Sequence, residues 1–544
     1  MLYVGDVGTA RSAAFEVYLK ECFGDVRVAD LAELATLDFD DAEVVVVDGE
    51  PVTYVDGMPR TYKVAPGLTV DSLPPPTVLV GGVGGAIADA IGLKLGWRHG
   101  CLCLDHRAII DEGMSHPIFN GPLAVPPIAT TSTPSPENFG HYAKVKDVPA
   151  TVATVEIAIA AEDEDAIRAE MKRASQAGDT AAVVAAMSSL PTPGLVSTSA
   201  GFLDSPDCER ICGGINMKAH DYVAVGRQGR MLQWGFEADP SRMTPLGRAL
   251  FANAVAYIAA FADAPIEVLR VALPRESLAI SLAFLDGGGA GRVAGLFGGA
   301  APAGLAAATS SDEALAWFAT HRDYVRHVGS GPGAHWVLDE DALTVGLAID
   351  SLELLDHCLA DPGDERSGRL WTRYTHRALT DASIERAWLA EHRTDLYFSD
   401  WAGYRWISPR DLPRLRPTEP RQTGDGPVLA ALSAVADATS IRAWVTLQIA
   451  PGHHVYAPGA GDGLPVTVGL PDNSAFSLVD VTFPDTEDGH LSGYHVIGLT
   501  LGAAPVGAAG RDELTILLGV QSCDEQSCRP PTTLTLVCPV TSSD

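Results

Sequence analysis

The sequence has no run of the roughly 18 to 20 apolar residues that a membrane-spanning helix needs, so no bilayer span is expected. It is poor in positive charge: 38 Lys and Arg stand against 69 Asp and Glu, for a formal net charge of −31. A field of that sign repels polyanions, which excludes nucleic acid and anionic membranes as partners held by general electrostatics. The acidic residues are spread along the chain and not gathered in a tail, so they read as solubility or a salt-tolerant proteome. The opening stretch, MLYVGDVGTARSAAFEVYLKECF, lacks a basic segment leading into an apolar one and so has no signal-peptide pattern. A cytoplasmic location is expected, with the periplasm as the alternative. Cysteine is scarce, nine in 544 residues, odd in number and mostly scattered. That is not a secreted disulfide framework; it points to a reducing compartment with one or two special pairs. Internal repeats and long low-complexity segments are also missing.

What is there is a long soluble chain with 47% apolar and 20% charged residues, too long for a single core. Residues 1–262 alternate strands and helices. LYVGDV reads as a strand, SAAFEVYLKECF as a helix, and AEVVVVDGE as a continuously apolar strand of the buried parallel kind. TVLVGGVGGAIADAIGLKLGW reads as strand, Gly-rich turn and helix, which completes a doubly wound α/β pattern. YVAVGRQGRMLQWGFEAD reads as a hairpin and PLGRALFANAVAYIAAF as a helix. Within this region residues 151–190 look like an insertion, helical around 160–190. Residues 265–415 read as a mostly helical middle domain, with DEALAWFATHRDYVRHV as one amphipathic helix and DLYFSDWAGYRWIS as a short hairpin. Residues 416–427, RPTEPRQTGDGP, are a linker. Beyond it, over 428–544, the period changes to two: IRAWVTLQIA, LPVTVGL, AFSLVDVTF, ELTILLGVQ and TLTLVCPV are short alternating strands, the pattern of an all-β sandwich.

The segment ILLGVQSCDEQSCRPPTTLTLVCPV holds the chemistry. Four residues separate Cys523 from Cys528, few enough for the two Cα atoms to reach disulfide distance. So short a ring removes little chain entropy, which makes the bridge a weak staple and a candidate for exchange. Asp524 and Glu525 beside Cys523 should raise its thiol pKa. A static bridge, or two free thiols, remains the alternative.

GVQSCDEQSCRPPTTLTL resembles the end of the N-terminal domain in the thiol:disulfide interchange (DsbD) family and its disulfide-bond-corrector-like relatives. APGHHVYAPGAGDGLPVTVGLP and VTFPDTEDGHLSGYHVIGL resemble earlier parts of the same domain, in the right order. The resemblance, over about 428–540, implies an immunoglobulin-like sandwich. It also implies that Cys523 and Cys528 pass electrons by exchange to a thioredoxin-like partner protein. In that family the domain is coupled to a membrane helix bundle and a thioredoxin domain, and this sequence holds neither.

VLVGGVGGAIADAIGLKLGW, SHPIFNGP and the late strand–hairpin–helix resemble the class I glutamine amidotransferase-like fold, in particular its ThuA-like branch. The implied fold is a flavodoxin/amidotransferase-like α/β domain over 1–262. Active amidotransferases carry a nucleophilic Cys at a sharp strand-to-helix turn. Here that turn reads Gly81-Gly82-Val83-Gly84-Gly85, so amidotransferase activity is not expected.

Other clusters carry less. His99, Cys101, Cys103, Asp105, His106 and His116 are metal-ligand types without a standard zinc spacing, and core cysteines are the expectation. Cys208 and Cys212 stand one helical turn apart and could share a helix face. His321, Asp323, His327, Asp339, Glu340 and Asp341 have no catalytic spacing. Tyr397, Phe398, Trp401, Tyr404 and Trp406 read as packing. No cofactor or metal is assigned. Three functions follow: thiol–disulfide exchange through Cys523 and Cys528, a non-enzymatic scaffold, or a ThuA-like sugar-metabolism protein with a pocket at Gly81–Gly85.

Overall fold

The computed structural model describes the chain outside residues 97–100, 111–114, 136–143, 190–193, 330–333, 412–422 and 503–512 and shorter stretches between them. His99, Glu525 and most of the linker 416–427 lie outside the described residues. The architecture is mixed α/β, in two compact units. The first comprises Met1–Asp111, Ala129–Gly247 and Pro265–Arg416; the second comprises Glu112–Ile128, Arg248–Ala264 and Pro417–Asp544.

The first unit is built on a ten-stranded sheet. Its strands are β1 (Leu2–Gly5), β2 (Arg27–Asp30), β3 (Val45–Val47), β4 (Thr77–Val80), β5 (Arg107–Ile109), β6 (Thr131–Pro134), β7 (Thr151–Glu156), β8 (Cys208–Gly214), β9 (Val223–Gln228) and β10 (Met231–Trp234). The order is β2-β1-β3-β4-β10-β9-β8-β5-β7-β6. Pairings from β2 to β10 are parallel, and those from β10 to β6 are antiparallel. The uniformly apolar strands LYVG, VVV and TVLV are buried throughout, as parallel strands covered on both faces must be. Helices α1 (Ala10–Phe23) and α2 (Gly81–Ala90) follow β1 and β4, and Thr9 caps α1 by accepting from the Ser12 N–H.

Four local expectations need correction. The Gly-rich turn expected over Gly81–Gly85 narrows to the single junction residue Gly81, and the rest of it is already helix. β4 runs directly into α2, and Gly81 makes the junction with a φ of 55°, a conformation side chains rarely adopt. Gly84 lets the helix lie on the sheet, since a Cβ there would strike the Leu79 backbone. Residues 151–156 are not inserted sequence; they form β7 inside the sheet, and only the helices Glu164–Gln176 and Thr180–Ser189 fit the expected helical pair. Cys208 and Cys212 lie on β8 and share no helix face, because Gly213 and Gly214 end a poor helix former that pairs well with β9. The expected long helix stops at His321; Val325–Val328 pairs with His335–Leu338, where β-branched valines favour extended chain.

Residues 265–411 are mostly helical, as the spacing predicts, around a core of Leu278, Trp317, Leu354, Leu370, Trp371 and Tyr374. The hairpin Tyr397–Ser399 with Arg405–Ile407 joins this region to the α/β sheet. Asp204 receives Lys94 Nζ, Ser399 Oγ at 3.0 Å and the Asp400 N–H at 2.9 Å. Trp401 Nε1 donates to the Ala200 carbonyl at 2.9 Å. These buried polar contacts tie the two regions into one unit, because leaving any of them unmade would strand a buried charge or donor.

The second unit is β-rich. Its strands are β11 (Val428–Ala436), β12 (Ser440–Ile449), β13 (His454–Tyr456), β14 (Thr467–Gly469), β15 (Ser477–Thr482), β16 (His490–Leu491), β17 (Tyr494–Gly502), β18 (Glu513–Val520), β19 (Ser522–Cys523) and β20 (Thr532–Pro539). One sheet runs β11-β12-β17-β15, with Thr423–Asp425 and Thr541–Ser542 also pairing β11. Two three-stranded sheets run β16-β13-β19 and β14-β18-β20. Leu432, Val445, Leu447, Ile497, Leu499, Ile516, Leu518 and Leu536 fill the core. The strand VLAALSAVA is absent from the strands read off the sequence, because its Ala and Leu content favours helix locally and only pairing with β12 decides otherwise.

Candidate functional site

Cys523 and Cys528 are bonded as a disulfide, with Cα atoms 4.0 Å apart. The tight hairpin around them explains how so short a segment closes. The Asp524 N–H donates to the Ser527 carbonyl and the Arg529 N–H to the Ser522 carbonyl, each at 2.9 Å. Asp524 Oδ1 accepts from the Ser527 N–H at 2.7 Å, so part of its charge is spent holding the loop. The two cysteines differ in environment: Cys523 is buried and Cys528 exposed.

β19 carries Cys523 into a sheet with β13. In that register His454 is opposite Cys523, and Val455 is opposite Ser522. On the other side of β13, Tyr456 is opposite His490 and Val455 opposite Leu491. Alternation therefore gives the sheet two faces. Val455 and Leu491 belong to the core. His454, Tyr456, His490 and Cys523 share the other face. The His454 and His490 rings stack with centroids 4.4 Å apart at 27°. Tyr456 meets both rings edge-on, at 5.2 Å from His454 and 5.1 Å from His490. Gly463 is required beside it, since a Cβ there would collide with the Tyr456 ring. The alternation in HHVYA indicates that His454 and Tyr456 share a face; their pairing with Cys523 comes from a strand some seventy residues on and has no sequence signal.

At the Gly81 junction the N-terminus of α2 is filled by the chain itself. Glu237, just beyond β10, accepts from the Gly82 N–H at 2.8 Å, and a Cβ on Gly81 would strike Glu237 Oε2. Glu237 is 3% exposed, and burial pushes its carboxyl up to about 7 against the pull of Arg11 and the Gly82 N–H. Arg11 Nε and Nη2 clasp Asp48, the latter at 2.7 Å from Oδ1, and Nη1 donates to the Glu237 carbonyl at 2.6 Å. A cavity of about 490 Å³ lies alongside, lined by Thr9, Arg11, Glu50, Glu237, Asp239 and Arg242 among others. The sequence reading missed Arg11, Asp48 and Glu237. For the two carboxylates the signal was an acidic residue just after a buried strand, Asp48 in VVVVDGE and Glu237 in LQWGFEAD; Arg11 had none.

The remaining candidates do not converge. Cys103 is disulfide-bonded and buried, which replaces the expected free core thiol. Asp105 pairs with Arg107, and His106 Nδ1 lies 3.4 Å from Glu164 Oε2. Asp339 accepts from Tyr374 Oη at 2.5 Å and from Arg373 at 2.6 Å, and Asp341 pairs with Arg369. Trp401, Tyr404 and Trp406 are buried packing. No group of three or more ligating side chains suited to a metal occurs among the described residues. No described helix is long and apolar enough to cross a membrane.

No protein-family profile matches the chain, and no curated protein is similar to it. Among solved structures, the N-terminal periplasmic domain of ScsB from Proteus mirabilis matches at 16% identity over 21% of this chain, with a TM-score of 0.16. The match spans 49% of that protein's own chain, about half its length. The GAE domain of GGA2p from Saccharomyces cerevisiae matches at 11% identity over 22% of this chain and 97% of its own, with a TM-score of 0.17. The yeast GGA1 GAE domain matches at 10% identity over 21% of this chain and 96% of its own, with a TM-score of 0.16. TM-scores this low establish no shared fold.

Proposed function

We propose that the protein exchanges its Cys523–Cys528 disulfide with a dithiol partner of the thioredoxin kind. The observation that carries this reading is the asymmetry of the bonded pair: Cys523 is buried and Cys528 exposed, on a tight surface hairpin. An incoming thiolate attacks the sulfur it can reach, here Cys528, and expels Cys523. The sequence resemblance to the interchange family supports the same assignment, and with it an immunoglobulin-like sandwich for the second unit. The strand-to-helix junction of the α/β sheet carries glycine and Val83 where an amidotransferase would hold its nucleophile, and the Glu237 carboxyl accepts from the Gly82 N–H there.

The test is quantitative alkylation with mass readout on the full chain, after equilibration in glutathione and dithiothreitol buffers of graded potential. Cys523 and Cys528 should change together between bonded and alkylated forms, at a potential close to cellular thiol couples. A pair that stays bonded in strong reductant, or stays reduced in strong oxidant, sinks the reading and leaves a scaffold.

A further inference from the structure

We propose that His454, braced by the stacked ring of His490, is the proton donor and acceptor for the Cys523 sulfur during thiol–disulfide exchange. This rests on the exchange reading of the cysteine pair and names the group that manages its proton.

The placement follows from register. Residues directly opposite in an antiparallel pair point to the same face with Cβ atoms about 4.5–5.5 Å apart. His454 and Cys523 are such a pair. On the strand paired with β19, His454 is directly opposite Cys523 and Tyr456 lies two residues further along the same face; His490 reaches this face from β16, on the far side of β13, and Asp524 is the neighbour of Cys523 in the chain. His454 and His490 are half-buried and Tyr456 is buried, on the face opposite the core residues Val455 and Leu491. Two imidazoles and a phenol packed ring to ring lie on the face opposite Val455 and Leu491, and one of them, His454, stands directly across from the sulfur that must leave.

The chemistry requires a proton there. A partner thiolate attacks Cys528 Sγ, the Cys528–Cys523 bond breaks, and a new bond joins Cys528 to the partner. Cys523 departs with the electron pair, into a buried position beside the Asp524 carboxylate. A thiolate in that setting is costly. Imidazolium is the side-chain acid whose ordinary range spans neutral pH; His454 in that form hands its proton to Cys523, leaving neutral imidazole and a thiol. The partner's second thiolate then attacks its own sulfur in the mixed disulfide and frees Cys528 as a thiolate, which takes a proton from water. The partner is oxidised by two electrons, and the pair here is reduced by two. In the reverse direction His454 withdraws the Cys523 proton. His490, stacked on His454, holds the ring in place.

The test is the rate of reduction of the Cys523–Cys528 bond by dithiothreitol across pH 5 to 9, divided by the reagent's thiolate fraction, in the full chain. The corrected rate should fall through the imidazole range. His454→Gln should abolish that inflection and slow reduction at the acid end by roughly tenfold or more, at the low side of general-acid effects. His490→Gln should keep the inflection while shifting it. An unchanged pH profile in His454→Gln overturns the assignment and leaves exchange standing; a bond that no protein in the series lets dithiothreitol reduce overturns exchange itself. A second measurement needs no substitution. The NMR titration of His454 should differ between oxidised and reduced protein, and identical curves overturn the assignment.

Discussion

Replacing Glu237 by Gln should flatten the pH dependence of stability, and the size of the effect can be worked from the site. Burial lifts the Glu237 carboxyl from 4.5 to about 7 in the folded protein. Below about pH 4.5 both folded and unfolded chains hold the proton, so no cost arises. As pH rises towards 7, the unfolded chain releases it first and the folded state loses ground. Above the folded value the full difference applies, roughly 3 kcal/mol at 1.36 kcal/mol per pH unit. Glu237→Gln has no proton to lose. The wild type minus variant stability should therefore be level below pH 4.5, decline by about that amount up to neutral pH, and level off again. Urea unfolding followed by tryptophan fluorescence reads this unit well, because every tryptophan except Trp444 lies within it. The slope is the diagnostic and not the absolute stability, since the amide also changes the approach of Arg11, 3.6 Å from Oε1. Parallel wild-type and variant curves from pH 4.5 to 8.5 would refute the idea that a buried carboxyl closes the α2 terminus.

Lys94→Met should destabilise the first unit by about 3–5 kcal/mol in the same urea assay, because it leaves the Asp204 carboxylate buried without its cation. Adding Asp204→Asn should recover part of that loss. Reducing the Cys523–Cys528 bond should lower the stability of the second unit by no more than about 2 kcal/mol, the loop-closure value for a separation of 5 residues; a much larger drop in calorimetry would mark the bridge as a staple. Cys358 is fully buried, with its thiol pushed up to about 12 by burial, so iodoacetamide should label it only after unfolding. Labelling of Cys358 in native buffer at a rate near that of Cys22 would contradict its packing.

The sequence by itself determined what depends on neighbours in the chain. Continuous apolar runs gave β1, β3 and β4 their buried places, and period-two alternation marked β12, β18 and β20. The four-residue spacing brought Cys523 and Cys528 within reach of each other. Local preference failed where partners distant in the chain overrule it. VLAALSAVA becomes a strand only because β12 pairs with it along its length, and the 151–156 segment belongs to the sheet only because β5 and β6 flank it. The candidate site divides in the same way. The cysteines were legible. His454 beside Cys523, His490 stacked on His454, and Glu237 seated on the terminus of α2 were not. Each of these pairings joins segments far apart in the chain. Strand register and helix placement are settled by burial of the whole core, and only tertiary structure decides which polar side chains are left facing one another.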